Sequence, residues 1–465
     1  MRQVGVHCAT YPGEAQLDPN QTLRTTNAKL VSDTRKMSDF TLDLSLQVGK
    51  YDIQKLLGKG ATGTVYLARD QFTGKEVALK TIEPEVFRDP EFGSVYRTQF
   101  QNEASLAGKL RHPHIIGILD AVVTEDSGHI AMEYVTGGDL SQFVRPDRLL
   151  PVSDVLQIGF KCCGALDYAY REQGIVHRDI KPANIMVTKG TDIRIADFGA
   201  AFLKKSHIAQ SAAMGSPFYM APEQIEGREL TFHSDMYSMG VVMYELLVGR
   251  RPFIAENLEQ LINKILTLPP LPPSEARRDL PKEIDNVVLR AMAKEPSQRY
   301  GTWAQFSVEL SKAVSLVLPP GQIPDSEKYL ALSKVEMLQL LNDAEFWELA
   351  VAAKWSRMPK GRIIVRENAP GTSFFFLAKG EAKVTLGGKL LNMVNEGECF
   401  GEMAYIRGGE EPRHATVEAV TDLIVAEFEP ETLEAMSLGA QLHLTRALVR
   451  NTVDRLVLAN TRITR

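Results

Sequence analysis

His177-Arg178-Asp179, then Asn184, then Asp197-Phe198-Gly199 set a base, a metal-binding amide and a metal-binding carboxylate in one short stretch. Phosphoryl transfer asks a protein to hold two oxygens in line and to neutralise spreading negative charge, and these residue types do both. Asp179 suits acceptance of a hydroxyl proton, while Asn184 and Asp197 suit Mg²⁺ ions that bridge phosphates. An isolated Asp-Phe-Gly is an ordinary turn, because Asp and Gly are turn formers. The order and spacing of the surrounding residues give it meaning.

Upstream, Gly58-Lys59-Gly60-Ala61-Thr62-Gly63-Thr64-Val65 forms a glycine-rich turn between two apolar runs. It reads as a β-hairpin in which Gly58, Gly60 and Gly63 let backbone amides approach a phosphate. A dinucleotide fingerprint needs a strand that leads into a helix. Here Val65-Tyr66-Leu67-Ala68 and Val77-Ala78-Leu79-Lys80 read as successive strands joined by a turn at Thr73-Gly74. Lys80 ends the second strand and can reach the α- and β-phosphates. The amphipathic stretch 96–110 supplies Glu103 on a helix, the expected carboxylate partner of Lys80.

With these parts in order, residues 51–316 resemble a Ser/Thr protein kinase over the whole catalytic domain. The resemblance implies an α+β, two-lobed fold that uses ATP and Mg²⁺. It assigns ATP contacts to the glycine-rich segment (Gly58, Lys59, Gly60, Gly63) and to Val65, Ala78 and Lys80. It makes Met132 the gatekeeper and gives adenine the backbone groups of Glu133 and Val135. Asp179, Lys181, Lys80 and Glu103 become the catalytic set, with Asn184 and Asp197 as metal ligands. Gly215-Ser216-Pro217 through Ala221-Pro222-Glu223 resembles the end of an activation segment, with Ser216 where the family usually has Thr. Asp235 matches the residue that braces the catalytic loop, and Arg299 the partner of Glu223.

Lys181, two positions after Asp179, resembles the Ser/Thr pattern, so the implied acceptors are Ser and Thr hydroxyls of protein substrates. Arg178 resembles the class controlled by activation-loop phosphorylation, with Ser206 and Ser211 as candidate sites. The competing reading is a non-catalytic scaffold that keeps the kinase fold. Such scaffolds generally lose a catalytic part, and Lys80, Glu103, Asp179, Asn184 and Asp197 are all present.

A length of 465 residues leaves room beyond the kinase, and a net charge of −5 without long runs gives no argument for nucleic acid or a membrane surface. Cys8, Cys162, Cys163 and Cys399 lack metal spacing and suit a reducing cytosol, so a cytoplasmic location is expected. No apolar run reaches the roughly 18 residues that a membrane span requires. Residues 1–50 read as a mostly flexible extension with a candidate docking strand at Phe40-Thr41-Leu42-Asp43-Leu44, and Met37 offers a second start.

A proline-rich linker over 317–327 separates the kinase from a region, 328–465, with a different periodicity. Helical patterns around 328–353 give way to short β runs at 363–365, 374–377, 382–386, 415–420 and 423–428, punctuated by glycines. This spacing suggests a small β-barrel or jelly roll with flanking helices. Within it, Phe400-Gly401-Glu402-Met403-Ala404 and Pro412-Arg413-His414-Ala415-Thr416 pair a helix start and a carboxylate with an arginine. The region resembles cyclic nucleotide-binding domains. The resemblance implies that Gly401, Glu402, Met403, Ala404, Arg413 and His414 contact cyclic AMP or cyclic GMP, although His414 stands where the family tends to have Ala, Ser or Thr. The alternative keeps the domain as a dimerisation or docking module only. Leu442, Val449 and Leu456 recur every seven residues along a C-terminal helix, which suits either a homodimer or packing on its own barrel.

Overall fold

The structure, a computed structural model, describes residues 47–60, 63–82, 84–90, 93–106, 108–124, 127–198, 217–319, 321–408 and 412–463. Ser206 and Ser211, Ser216, Gly199, Cys8 and the candidate strand near Phe40 lie outside those residues.

The N-terminal lobe is an antiparallel sheet of β1 (Gln47–Val48), β2 (Tyr51–Gly60), β3 (Gly63–Asp70), β4 (Glu76–Ile82), β5 (Ile118–Val123) and β6 (Gly128–Glu133), in the order β1-β2-β3-β4-β6-β5. The sheet therefore begins before Tyr51, since Gln47 pairs with Asp52. Its helix, α1 (Gly93–Ser105), stops short of the expected 110. Leu106 and Leu110 instead fill the core of the lower lobe.

That lobe is helical. α2 (Val152–Gln173) ends where Gly174 takes a φ of +64° and closes the last turn with its amide. After the short β7 (Ile185–Val187) and β8 (Ile193–Ile195), α3 (Phe232–Val248) runs through the centre with almost every side chain buried. A helix apolar on all sides must be enclosed, and α4 (Leu258–Thr267), α5 (Lys282–Ala291) and α6 (Trp303–Val317) help enclose it. Arg299 is fully buried and meets Glu223 through two bonds of 2.7 and 2.8 Å, tying this bundle to the short turn at Pro222–Ile225. Removing one partner of such a pair costs about 3–5 kcal/mol, because the other charge stays buried.

α6 reaches Val317 and α7 (Asp325–Ser333) starts before 328, so the two ends of the expected linker are helical and 318–324 join them. α8 (Asp343–Ala352) follows, opened by a reciprocal cap between Asn342 and Glu345. The C-terminal strands are β9 (Lys354–Met358), β10 (Ile363–Val365), β11 (Phe374–Lys379), β12 (Ala382–Leu386), β13 (Lys389–Val394), β14 (Cys399–Phe400), β15 (Thr416–Ala419) and β16 (Leu423–Phe428). They form two four-stranded sheets, β10-β15-β12-β13 and β14-β11-β16-β9, the expected double-sheet roll.

β11 is apolar without alternation because both of its faces are covered. Phe374 and Phe376 meet the helices, while Phe375 and Leu377 fill the space between the sheets. α9 (Glu402–Ile406) lies between β14 and β15, and α10 (Leu438–Ile463) closes the chain. α10 buries Ala440, Leu444, Ala447 and Leu448 against its own domain and leaves Leu442, Val449, Val453 and Leu456 exposed.

Candidate active site

Register carries Lys80 into the cleft between the lobes. On β4 it lies opposite Val65 of β3 and Ile130 of β6, beside the β2–β3 hairpin that carries the glycines. Gly58 pairs with Val65 and Gly60 with Gly63, so the expected hairpin forms, with Ala61 and Thr62 outside the described residues. Gly63 has a φ of +155°, and a Cβ there would stand 2.2 Å from the Thr81 carbonyl oxygen. Only glycine fits this approach of β3 to β4. Ala78, Met132 and Val135 are buried together with Val65 packed beside them, giving an apolar wall. The Glu133 amide donates to Gly117 O at 2.8 Å.

Lys80 Nζ donates to Glu103 Oε2 at 2.7 Å and to Asp197 Oδ1 at 3.2 Å. Burial presses on the ammonium, but Asp197 and Glu103 outweigh it and hold its pKa above the ordinary lysine value. Lys80, opposing burial, keeps the Asp197 carboxyl below the usual aspartate range. Burial pushes Glu103 upward against the pull of Lys80. One ammonium thus joins the upper sheet, α1 and the lower lobe.

The lower half is assembled by Asp235 at the start of α3. Its fully buried carboxylate accepts the His177 and Arg178 amides, each at 2.7 Å, and burial raises its pKa. The His177 ring reaches Ala196 O at 3.0 Å, beside Asp197. Arg178 and Asp197 both adopt left-handed φ values, +67° and +64°, which the surrounding bonds must hold. Asp179 Oδ2 accepts from Lys181 Nζ at 2.7 Å and from Asn184 Nδ2 at 3.1 Å. The Asn184 amide nitrogen also donates to Asp179 O at 2.8 Å. Asp197 keeps 42% of its side chain exposed to the cleft. Hard oxygen donors from one amide and one carboxylate fit Mg²⁺, which usually takes one or two protein ligands and completes its shell with phosphates and water.

Sequence reasoning missed the support behind Arg178. Gln224 Nε2 donates to its carbonyl at 3.1 Å, and its Nε and Nη1 are buried with no partner among the described residues. The Gln224 contact spans 46 positions and leaves no local signal in the sequence.

In the C-terminal domain, Arg413 is held between two glycines. Its guanidinium donates to Gly401 O and to Ser373 Oγ, each at 3.2 Å, and a Cβ on Gly371 or Gly401 would stand within 2.9 Å of it. Burial lowers its pKa, with Glu427 opposing. Arg413 lines a cavity of about 580 Å³ together with Arg362, Arg366, Ser373 and Glu427. Glu402 is buried elsewhere, with Oε1 2.7 Å from Arg455 Nη1, whose other nitrogen donates to Cys399 O at 2.6 Å. Met403 and His414 are exposed and Ala404 half-buried. Of the six sequence candidates, the structure thus brings Gly401 and Arg413 into contact and turns Glu402 toward α10.

The family profile described as the protein kinase domain matches residues 51–309. This chain belongs to the protein kinase domain family. A second profile, the cyclic nucleotide-binding domain, matches residues 355–438. Serine/threonine-protein kinase PknB of Mycobacterium leprae is 35% identical over 288 residues, which cover 60% of this chain and 45% of that protein. The probable serine/threonine-protein kinase CE0033 of Corynebacterium efficiens is 37% identical over 273 residues, 56% of this chain and 41% of its own length. The chain therefore spans less than half of these curated relatives. Two expectations stand as written, the Ser/Thr kinase resemblance and the two-lobed fold followed by a strand-rich domain. Among the described residues, no helix is long and apolar enough to cross a membrane.

Proposed function

We propose that this chain transfers the γ-phosphoryl group of ATP to Ser and Thr hydroxyls of proteins, within the cytoplasm. The observation that carries the reading is the Lys80 ammonium, shared at 2.7 and 3.2 Å between Glu103 and Asp197 above a loop in which Asp179, Lys181 and Asn184 already bond one another. Asp179 takes the hydroxyl proton as the substrate oxygen bonds to phosphorus, the bond to the β–γ bridging oxygen breaks, and ADP leaves. Lys80 orients the α- and β-phosphates, and Lys181 meets the γ-phosphoryl oxygens beside Asp179. Asn184 and Asp197 would hold Mg²⁺, which would supply neutralisation of phosphate charge. The amides of Gly58, Lys59, Gly60 and Gly63 cover the phosphates, while Val65, Ala78, Met132, Glu133 and Val135 receive the adenine. The kinase unit is taken as 51–316, with 317–327 as connector and 328–465 as the second domain.

Phosphorylation of Ser206 or Ser211 is proposed to complete the site. The buried Nε and Nη1 of half-buried Arg178, which have no partner among the described residues, support this, because a phosphate dianion satisfies such a cation with strong hydrogen bonds.

The second domain is proposed to sense cyclic AMP or cyclic GMP. Arg413 would take the phosphate with the amides of Gly401, Met403 and Ala404, Glu402 would take the ribose, and His414 would stand at the rim. A second reading, in which the domain serves only to dock or dimerise, draws support from Glu402, whose carboxylate is already held by Arg455 at 2.7 Å. The exposed stripe of Leu442, Val449, Val453 and Leu456 supports association with a second copy through α10.

Three measurements test these proposals. Asp179→Asn and Asp197→Ala should each reduce phosphate transfer to a Ser/Thr protein by at least about a hundredfold, with phosphoserine or phosphothreonine as the wild-type product. Full activity in either variant contradicts the assigned roles. Calorimetric titration of the full chain with each cyclic nucleotide should give binding that Arg413→Ala abolishes; no binding to the wild type favours the docking module. Sedimentation velocity at micromolar concentration should report a dimer, and a monomer removes the proposed association.

A further inference from the structure

The two domains share more than a connector. Trp347 of α8 is 4% exposed and lies in the core of the kinase lower lobe, away from its own sheets. Its ring meets His114 edge-on at 4.7 Å and Phe160 of α2 at 6.1 Å, and it stacks on Tyr329 of α7 at 4.7 Å. Polar contacts surround this seat. Arg171 Nη2 pairs with Asp343 at 2.6 Å, and the Tyr329 hydroxyl donates to the same carboxylate at 3.0 Å. Lys161, 1% exposed, pairs with Asp192 of the kinase at 2.7 Å and with Asp325 of α7 at 2.9 Å.

The surface under Trp347 is the loop 110–117, which links α1 to β5. His112 Nε2 and both ring nitrogens of His114 are buried with no partner among the described residues. Burial keeps both rings neutral, pushing His112 down to about 3 and His114 well below its ordinary value. Leaving polar groups unpaired in this way carries a cost, so the loop has reason to open when its cover leaves. The same loop is bonded to the catalytic strand. His114 O accepts from Ile195 N and Ile195 O from Ile116 N, both at 2.9 Å, two residues before Asp197.

On the other side, α8 is tied to α10. Glu345 Oε2 lies 2.9 Å from His443 Nδ1, and Glu348 accepts the Ser437 amide at 2.7 Å. α10 also carries Arg455, the partner of Glu402. One helix therefore touches the proposed nucleotide site, and its neighbour touches the kinase.

We infer that Trp347, seated on His114, is the contact through which the C-terminal domain controls the kinase, and that this seat holds loop 110–117 and β8 so that Asp197 stays aligned with Lys80 and Glu103. Undocking α8 lowers activity, and a ligand at Glu402 and Arg413 acts on the seat through α10. This rests on the kinase and sensor readings above. A ligand moves such a balance only by binding one arrangement better than the other.

The experiment compares full-length wild type with Trp347→Ala and Trp347→Phe, using amide hydrogen exchange and phosphate transfer. Trp347→Ala should speed exchange at Ile116, Ile195 and Ala196 and lower transfer by about fivefold or more, the low end of ordinary coupling between sites. Protection across Phe374, Phe375 and Phe376 should persist, and Trp347→Phe should recover most of both losses. Unchanged exchange in Trp347→Ala, or faster exchange with undiminished transfer, overturns the inference. Should Trp347→Ala fail to fold, Asp343→Ala, at the rim of the same seat, takes its place with the same two readouts. A wild type that transfers no phosphate defeats the kinase reading, and exchange at Ile195 and Ala196 then decides the seat alone.

Discussion

The ammonium of Lys80 is the point on which the rest of the structure depends. A buried cation is costly unless it is paired, and here the pairing draws on separate parts of the chain: β4 for the lysine, α1 for Glu103 and the segment after β8 for Asp197. Any movement of α1 away from the sheet, or of Asp197 out of the cleft, leaves a buried charge unsatisfied. The arrangement is therefore well suited to switching. A small displacement at either end has a large electrostatic consequence at the site where phosphates would bind.

Below that point, Asp235 does for the lower lobe what Lys80 does for the cleft. A single carboxylate collects two successive amides and fixes the turn that aims Asp179, and the rigid α3 places it there. The two strained positions, Arg178 and Asp197, flank this assembly. Strain of this kind persists only where neighbouring bonds over-determine the backbone. Loop 110–117 bonds to β8 from behind, so whatever covers that loop bears on Asp197.

The residues that meet in the cleft were legible as a group because each is a chemical type at a fixed offset within a local motif. Gly58 to Val65, Lys80 and the stretch from His177 to Asp197 announce themselves without tertiary information. The edges of elements were less legible. α1 stops at Ser105 because Leu106 and Leu110 turn into the lower core, an outcome set by the partner lobe and not by helical periodicity. β9 and β13 escaped the reading: most of β13 is exposed, so it lacks the buried-face alternation that marks a strand. The Trp347 seat could not be read at all. His114 and Trp347 are far apart in sequence, and a lone aromatic on a helix signals only that something covers it. Likewise nothing near Glu402 announces Arg455, 53 positions away.

Taken together, the molecule reads as a kinase cleft held by one shared ammonium and braced from behind by its own second domain. The most direct test of that account is single-turnover transfer from Mg²⁺-ATP to a Ser/Thr protein by the full chain and by Lys80→Met. Transfer should fall by about a hundredfold to a thousandfold in the variant, since the proposed role of Lys80 at the phosphates is lost while Asp179 and Asn184 keep their places. Equal rates in the two proteins would contradict it.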